Sequence, residues 1–352
     1  MTEIISNVPI NIAAVNLGSP GKLMPLHVAS LVAALSKNGL TSSVAWNTGA
    51  LKPNDSLLEK EQATAAYGLE MGYQEDFDCN PAFKVWCKNA IEEALSKGTL
   101  EISSCRVIAC RGCNSPLSLD ASGVAPDVCG GCGNSETFVT DTMVLCMPIS
   151  NWPEELQLAA AVYNQPSNWA GQLASLPEKM LISKPRLNGV SLEDFGLPGL
   201  HLDPRVTNAA FIAYQAIERN ADHGWATLAS EHLYKVAPFI YGFRHNYWPR
   251  IGYIGISKMP VNEVLADPQN VAEIGMTSVM QTLAALSLDG KTWVNNPVRV
   301  KEITGHIQRH RIEKLFLTSI DALSKSQSGP GFRASVIGLA KAIPLALKGT
   351  KP

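Results

Sequence analysis

The sequence predicts an α/β protein: a parallel sheet split by an inserted module with a metal site, followed by a short helical tail. Three observations carry this reading. Residues 10–47 read strand, turn, helix, strand, a unit whose two strands are expected to run parallel. Two Cys-x-x-Cys pairs then break the pattern between residues 110 and 132. Two more buried-strand runs, Phe239–Phe243 and Ile251–Ile256, come late, so the strands of one sheet lie on both sides of the insertion.

The first strand is placed at residues 10–17, an apolar run closed by the loop Gly18-Ser19-Pro20-Gly21. A helical pattern covers Leu26–Lys37 and stops at Asn38-Gly39, a C-terminal signal. Ser42–Asn47 is the next strand. Residues 51–100 read as helical and rather polar, with Ala82–Ser96 the clearest helix. After the cysteine module, Thr142–Ile149 is strand-like and Glu154–Tyr163 is expected to be helical. Residues 166–205 are rich in Pro and Gly and give no assignment. Helices follow at Asn208–Arg219, Asn270–Leu286 and Glu302–Leu323, and Ser324–Arg333 reads as a linker before a last short helix. The implied division is 1–75 and 166–290 for the halves of the sheet domain, 76–165 for the insertion, and 291–352 for the tail.

With 46% apolar and 17% charged residues, the chain can bury a full-sized core. A net charge of -2 argues against a body surface built for non-specific nucleic-acid binding. Residues 291–352 hold 11 Lys or Arg against three Asp or Glu, a pattern that reads first as a solvated helix face and second as a docking surface. His306 and His310 share one face of that stretch at a spacing able to hold metal, but without a third ligand they read as a polar face. No run reaches the roughly 18 apolar residues of a membrane span, and Met1-Thr2-Glu3 does not begin a signal peptide, so a soluble, cytoplasmic protein with no membrane partner is expected. Eight cysteines in 352 residues are too few for a disulfide scaffold.

Four of those cysteines form the most specific pattern in the chain. Cys110 and Cys113 make one knuckle, and Cys129 and Cys132 make a second after a gap of 15 residues. Two residues between thiolates let one tight turn offer both sulfurs to one ion, and Gly112, Gly131 and Gly133 relax those turns. Two knuckles close a tetrahedron and leave no position for water or substrate, so the expected Zn2+ is structural. A pair of redox dithiols is the competing reading. Cys79, Cys87, Cys105 and Cys146 lie off the pattern and are expected in the core.

The order of landmarks resembles the catalytic core of a class I aminoacyl-tRNA synthetase of the methionyl type. Pro25-Leu26-His27-Val28-Ala29-Ser30-Leu31 is similar to the family's HIGH segment, with His27 on the first histidine, Ala29 replacing the glycine and Ser30 replacing the second histidine. Trp46-Asn47-Thr48-Gly49-Ala50 is similar to the TGTD turn, but no carboxylate follows Gly49. The two knuckles match that family's connective insertion. Ser257-Lys258-Met259-Pro260-Val261-Asn262 resembles the KMSKS loop, with Lys258 on its first lysine and Val261 where the second belongs. Ile182-Ser183-Lys184 and Tyr241–Asn246, which includes His245, resemble further family segments in altered form.

The resemblance implies a Rossmann-like core and an enzyme that activates a carboxylate with ATP and Mg2+. His27, Ser30, His245 and Lys258 would border ATP, with His27 and Lys258 catalytic, and Asn47, Thr48 and Gly49 would border the acyl pocket. Only 62 residues follow Gly290, so a full anticodon-binding domain, and with it tRNA, is not expected. The implied activity is therefore transfer of an aminoacyl group to a small-molecule acceptor, such as an N-hydroxylated amine, in natural-product biosynthesis. A core that has lost catalysis and serves as a scaffold for a partner tailoring enzyme is the alternative.

Overall fold

The strand pairing with the widest sequence separation in the parallel sheet joins residues 220 positions apart. Strand β1 (Glu3–Asn7) lies parallel to β11 (His223–Ala229), with Glu3 opposite His223 and Asn7 opposite Thr227. The computed structural model describes residues 3–7, 10–11, 20–35, 41–47, 74–77, 80–113, 117, 127–129, 132–149, 161–163, 168–185, 189–230, 233, 236, 250–266, 275–289, 340–341 and 343. The expected strand at Phe239–Phe243 and the helices at Glu302–Leu323 and beyond Arg333 lie outside these, apart from helical residues at 340, 341 and 343.

Strand β2 (Ile10–Asn11) and β1 both pair with β3 (Thr41–Asn47) on the edge opposite β4 (Gln74–Phe77), because Ser43 and Trp46 each have partners on both sides. The registers Ile4 to Thr41 and Ile10 to Trp46 differ by one residue, so β1 and β2 meet β3 one residue out of step. On the far side β11 pairs with β12 (Arg250–Ile256), and β12 with β7 (Ala161–Tyr163). The seven-stranded sheet thus runs β4, β3, β1/β2, β11, β12, β7, and every pairing is parallel. The chain moves outward from β1 in one direction through β3 and β4, and later in the other through β11 and β12. The order reverses between β1 and β11, which makes the carboxyl ends of those strands the topological switch point.

Both faces are covered, as parallel sheets require. Trp225, Ile254 and Ile256 point to one face, among Met24, Val28 and Val32 of α1 (Met24–Leu35) and Met280 and Leu283 of the helix at Met276–Ser287. Ala226, Leu228, Ile251 and Tyr253 point to the other, among residues of α2 (Pro81–Ser96) and the helix at Pro204–Glu218. Gly224 admits that second helix closely: a Cβ there would sit 3.1 Å from Ile212 and 3.3 Å from Ala216. Phe83 meets Phe211 edge-on at 4.9 Å, joining the two helices.

The cap chemistry explains both of these helices. Asn80 accepts from the Ala82 N–H at 2.9 Å and Asp203 from the Arg205 N–H at 2.8 Å, each ahead of a proline at the first helical position. A separate antiparallel sheet holds β5 (Glu101–Cys110), β6 (Thr137–Pro148) and β8 (Lys179–Leu181). Ser183 in β9 (Ser183–Pro185), which pairs with β10 (Leu200–Leu202), receives the Leu145 N–H at 3.0 Å and ties the two small sheets together.

Several sequence expectations need correction. The first strand is Glu3–Asn7, outside the apolar run at 10–17, of which Ile10–Asn11 alone is described as strand. Ala161–Tyr163, expected to close a helix, is an edge strand on β12, and Gln74–Phe77 interrupts the stretch read as helical. In each case the pairing partner is far away in sequence, and the ladder outweighs local propensity.

Candidate functional site

Helix α1 begins at the switch point. It follows the 3-10 turn Pro20–Leu23, and its first turn is held from below by the hydroxyl of Thr227, which donates to the Pro25 carbonyl at 2.5 Å. Thr227 is the β11 residue opposite Asn7, so this contact sits at the carboxyl end of both central strands. No acidic side chain occupies the first turn of α1, so no carboxylate of its own offsets the positive dipole end there. His27 lies in that turn. It is buried (4% exposed), and its Nε2 has no hydrogen-bond partner among the described residues. Desolvation lowers its pKa to about 4, so the imidazole is neutral at pH 7 and offers hydrogen bonding rather than positive charge. Ser30 is one turn later and half-buried.

The segment Ser257–Pro260 leaves β12 beside this turn and enters the short helix Val261–Leu265. Lys258 is exposed, and no ion pair engages it among the described residues. Val261 reaches back to the turn before α1: a Cβ on Gly21 would sit 3.7 Å from its Cγ2. The two segments that carry His27 and Lys258, 231 residues apart, are thereby neighbours at the carboxyl edge of the sheet. Asn47 ends β3 at the same edge, one strand away, and pairs with Asn11. Thr48, Gly49 and His245 lie outside the described residues.

An ionic cluster that the sequence reading passed over lies where the small sheets meet the helix Pro204–Glu218. Asp203 is fully enclosed, takes Nε and Nη2 of Arg205 at 3.0 and 2.9 Å, and takes Lys184 at 2.8 Å. Burial alone would raise its pKa, but the charge and hydrogen bonds of Arg205, then those of Lys184, outweigh that and hold the carboxyl well below the usual carboxylate range. The dipeptide Asp203-Pro204, a cap followed by a helix-starting proline, was the available signal.

At the tip of the β5–β6 pair, the four knuckle cysteines come together with all sulfurs within 4.8 Å of one another. Cys110 ends β5 and contacts Cys132 at 3.4 Å; Cys113 contacts Cys129 at 3.7 Å. Metal–sulfur bonds of about 2.3 Å in a tetrahedron put sulfurs about 3.8 Å apart, so the group fits a metal ion of zinc's preferences. The Gly112 N–H points at the Cys110 sulfur at 3.3 Å, and Gly133, at φ +77°, closes the second turn by donating to the Cys129 carbonyl at 2.8 Å. A side chain at Gly112 would crowd Asn134 at 3.0 Å and Cys132 at 3.2 Å. Leu117 and Ile108 pack on Cys110 and Cys129 as a small apolar base. A hydrogen bond at Asn134 pulls the Cys132 thiol down while the Cys110, Cys113 and Cys129 sulfurs push it up; the net is a rise to about 12, so metal must displace protons. Cys87 is buried in the core as expected. Half-buried Cys105 contacts buried Cys146 at 3.4 Å, a pairing the sequence did not suggest.

The candidate site thus stands on a parallel sheet that reverses its order at the start of α1, with a four-cysteine knuckle between the sheet's halves in sequence. Among solved structures, the chain matches Mycobacterium tuberculosis methionyl-tRNA synthetase in complex with methionyl-adenylate at 13% identity and a TM-score of 0.56, over 99% of this chain and 81% of that one. The free-state enzyme of the same organism matches at 12% identity and a TM-score of 0.58, over 99% and 78%. The chain therefore has the fold of a methionyl-type class I synthetase core. No protein-family model and no curated protein sequence matches it significantly.

Proposed function

We propose that this chain is an ATP-dependent aminoacyl ligase that works without tRNA. It would activate an amino acid as an acyl-adenylate and transfer the acyl group to a small-molecule acceptor, such as an N-hydroxylated amine, in natural-product biosynthesis. The observation that carries the reading is the convergence of the α1 N-terminus and the Lys258 segment at the switch point. An oxygen of the substrate carboxylate attacks the α-phosphorus of ATP, the bond to the bridging oxygen breaks and pyrophosphate leaves with Mg2+. The acceptor then attacks the acyl carbon and AMP leaves. The positive dipole end of α1 and the Lys258 ammonium would stabilise charge on the phosphates, and neutral His27 would supply one hydrogen bond. The cysteine knuckle would hold Zn2+ structurally, with no step passing through it.

ATP–pyrophosphate exchange across a panel of amino acids, with calorimetric titration of ATP, tests this reading. Exchange with at least one carboxylate is expected, and Lys258→Ala should lower it about 100-fold, the usual effect of removing one electrostatic contact. No detectable ATP binding would sink the proposal. A second reading, a catalytically silent core that binds a partner enzyme, is favoured by the enclosed, uncharged state of His27 and by the missing carboxylate after Gly49. It predicts ATP binding at most, with no exchange.

A further inference from the structure

We infer that Ser257–Leu265 is a fixed strap, latched by Met259 and Val261, that holds Lys258 beside the start of α1 instead of swinging over the site as a lid. Along Ser257–Val261 the one exposed residue is Lys258: Met259 is 8% exposed, Val261 3%, and Pro260 is buried between them. Met259, Val261 and Val264 belong to the same apolar cluster as Met24 and Val28 of α1 and Val279 and Leu283 of the helix Met276–Ser287. Val261 faces the turn before α1 at Gly21, close enough that a Cβ there would sit in ordinary contact, 3.7 Å from its Cγ2.

A backbone bond pins the start of the segment to the body: the Ser257 N–H donates to the Ser287 carbonyl at 2.8 Å, while the Val264 N–H, donating to the Pro260 carbonyl at 3.1 Å, closes the first turn of the strap's own helix. Lifting the strap would expose three buried apolar side chains at once, which opposes opening. A lid that moves freely would be expected to present polar side chains to the body instead. Met259 and Val261 are thus positioning residues for Lys258, whose phosphate role rests on the proposed function; the latch itself does not.

Limited tryptic digestion, read by mass spectrometry without nucleotide, tests the latch separately from ATP chemistry. The Lys258–Met259 bond of the wild type should be cut at least 100-fold more slowly than in the corresponding peptide. Val261→Ala should speed that cut at least tenfold and leave other sites unchanged, and Val261→Ile should restore resistance. Rapid native-state cleavage after Lys258 would overturn the inference, as would a proportional increase at every site in Val261→Ala. If Val261→Ala fails to fold, hydrogen exchange on the wild type decides: the Ser257 and Val264 amides should be protected within tenfold of those of β12, and free exchange there would overturn the strap.

Discussion

His27 and Asp203 each bind protons less readily in the fold than in the unfolded chain, and they do so in successive pH windows. For His27 the unfolded value is 6.5 and the folded value about 4, so between them the unfolded chain binds more protons and stability falls as pH falls. The loss amounts to at most about 3 kcal/mol by pH 4. His27→Gln should flatten this part of a urea-unfolding series between pH 6.5 and 4. The depressed Asp203 contributes stability that is fully present above the ordinary value of 3.8 and is lost as pH drops further. Asp203→Asn strands Lys184 and Arg205 and should cost about 3 kcal/mol at pH 7, with a shallower acid limb below pH 4. The Asp203 cluster was only half legible in the sequence: Arg205 is two residues away, but Lys184 arrives from β9. The knuckle was legible because its four ligands declare themselves within 23 residues, Cys110 to Cys132.

Strand pairing sets the tightest constraints among the elements. Trp225 on β11 lies across Gly252 of β12, and a Cβ at Gly252 would fall 2.2 Å from the ring's Cζ3. The ring is 2% exposed and its Nε1 donates to Glu3 at 3.2 Å, so it has little room to move. Gly252→Ala should therefore destabilise by about 2 kcal/mol or more in denaturant unfolding, and Trp225→Leu should relieve part of that cost. The helices at Pro81–Ser96 and Pro204–Glu218 were readable because caps and apolar period act locally. Strand β11, His223-Gly224-Trp225-Ala226-Thr227-Leu228-Ala229, was not, since its small residues suit close helix packing on both faces rather than a strong strand signal. Ala161–Tyr163 continued a helical-looking run, and only β12 makes it a strand.

Across the molecule, the cysteine knuckle and the switch point lie in different sheets and should respond separately. Chelation of bound zinc, or Cys113→Ser, should raise hydrogen exchange in residues 100–149 well before the parallel sheet, and zinc content should drop from one ion per chain. ATP affinity should change less than threefold. ATP at 100 times its Kd should raise stability by about 2.7 kcal/mol, seen as a higher Tm. Chain-wide legibility followed the same divide: the split sheet could be read from β-α-β order, while the sheet's outer strands β4 and β7 could not, because three or four residues carry no period.

The pairing of Glu3 with His223 also says something about birth order. As the chain is synthesised, β1, β3 and β4 emerge first and leave β1 with an unsatisfied inner edge until β11 follows, about 220 residues later. At roughly 5–20 residues per second that edge waits about 10–45 s. A bare parallel edge is a template for other strands, so nascent chains should lean on a holding chaperone in this interval. A ribosome-stalled chain ending at residue 215 should be bound by it more heavily than one carrying all 352 residues.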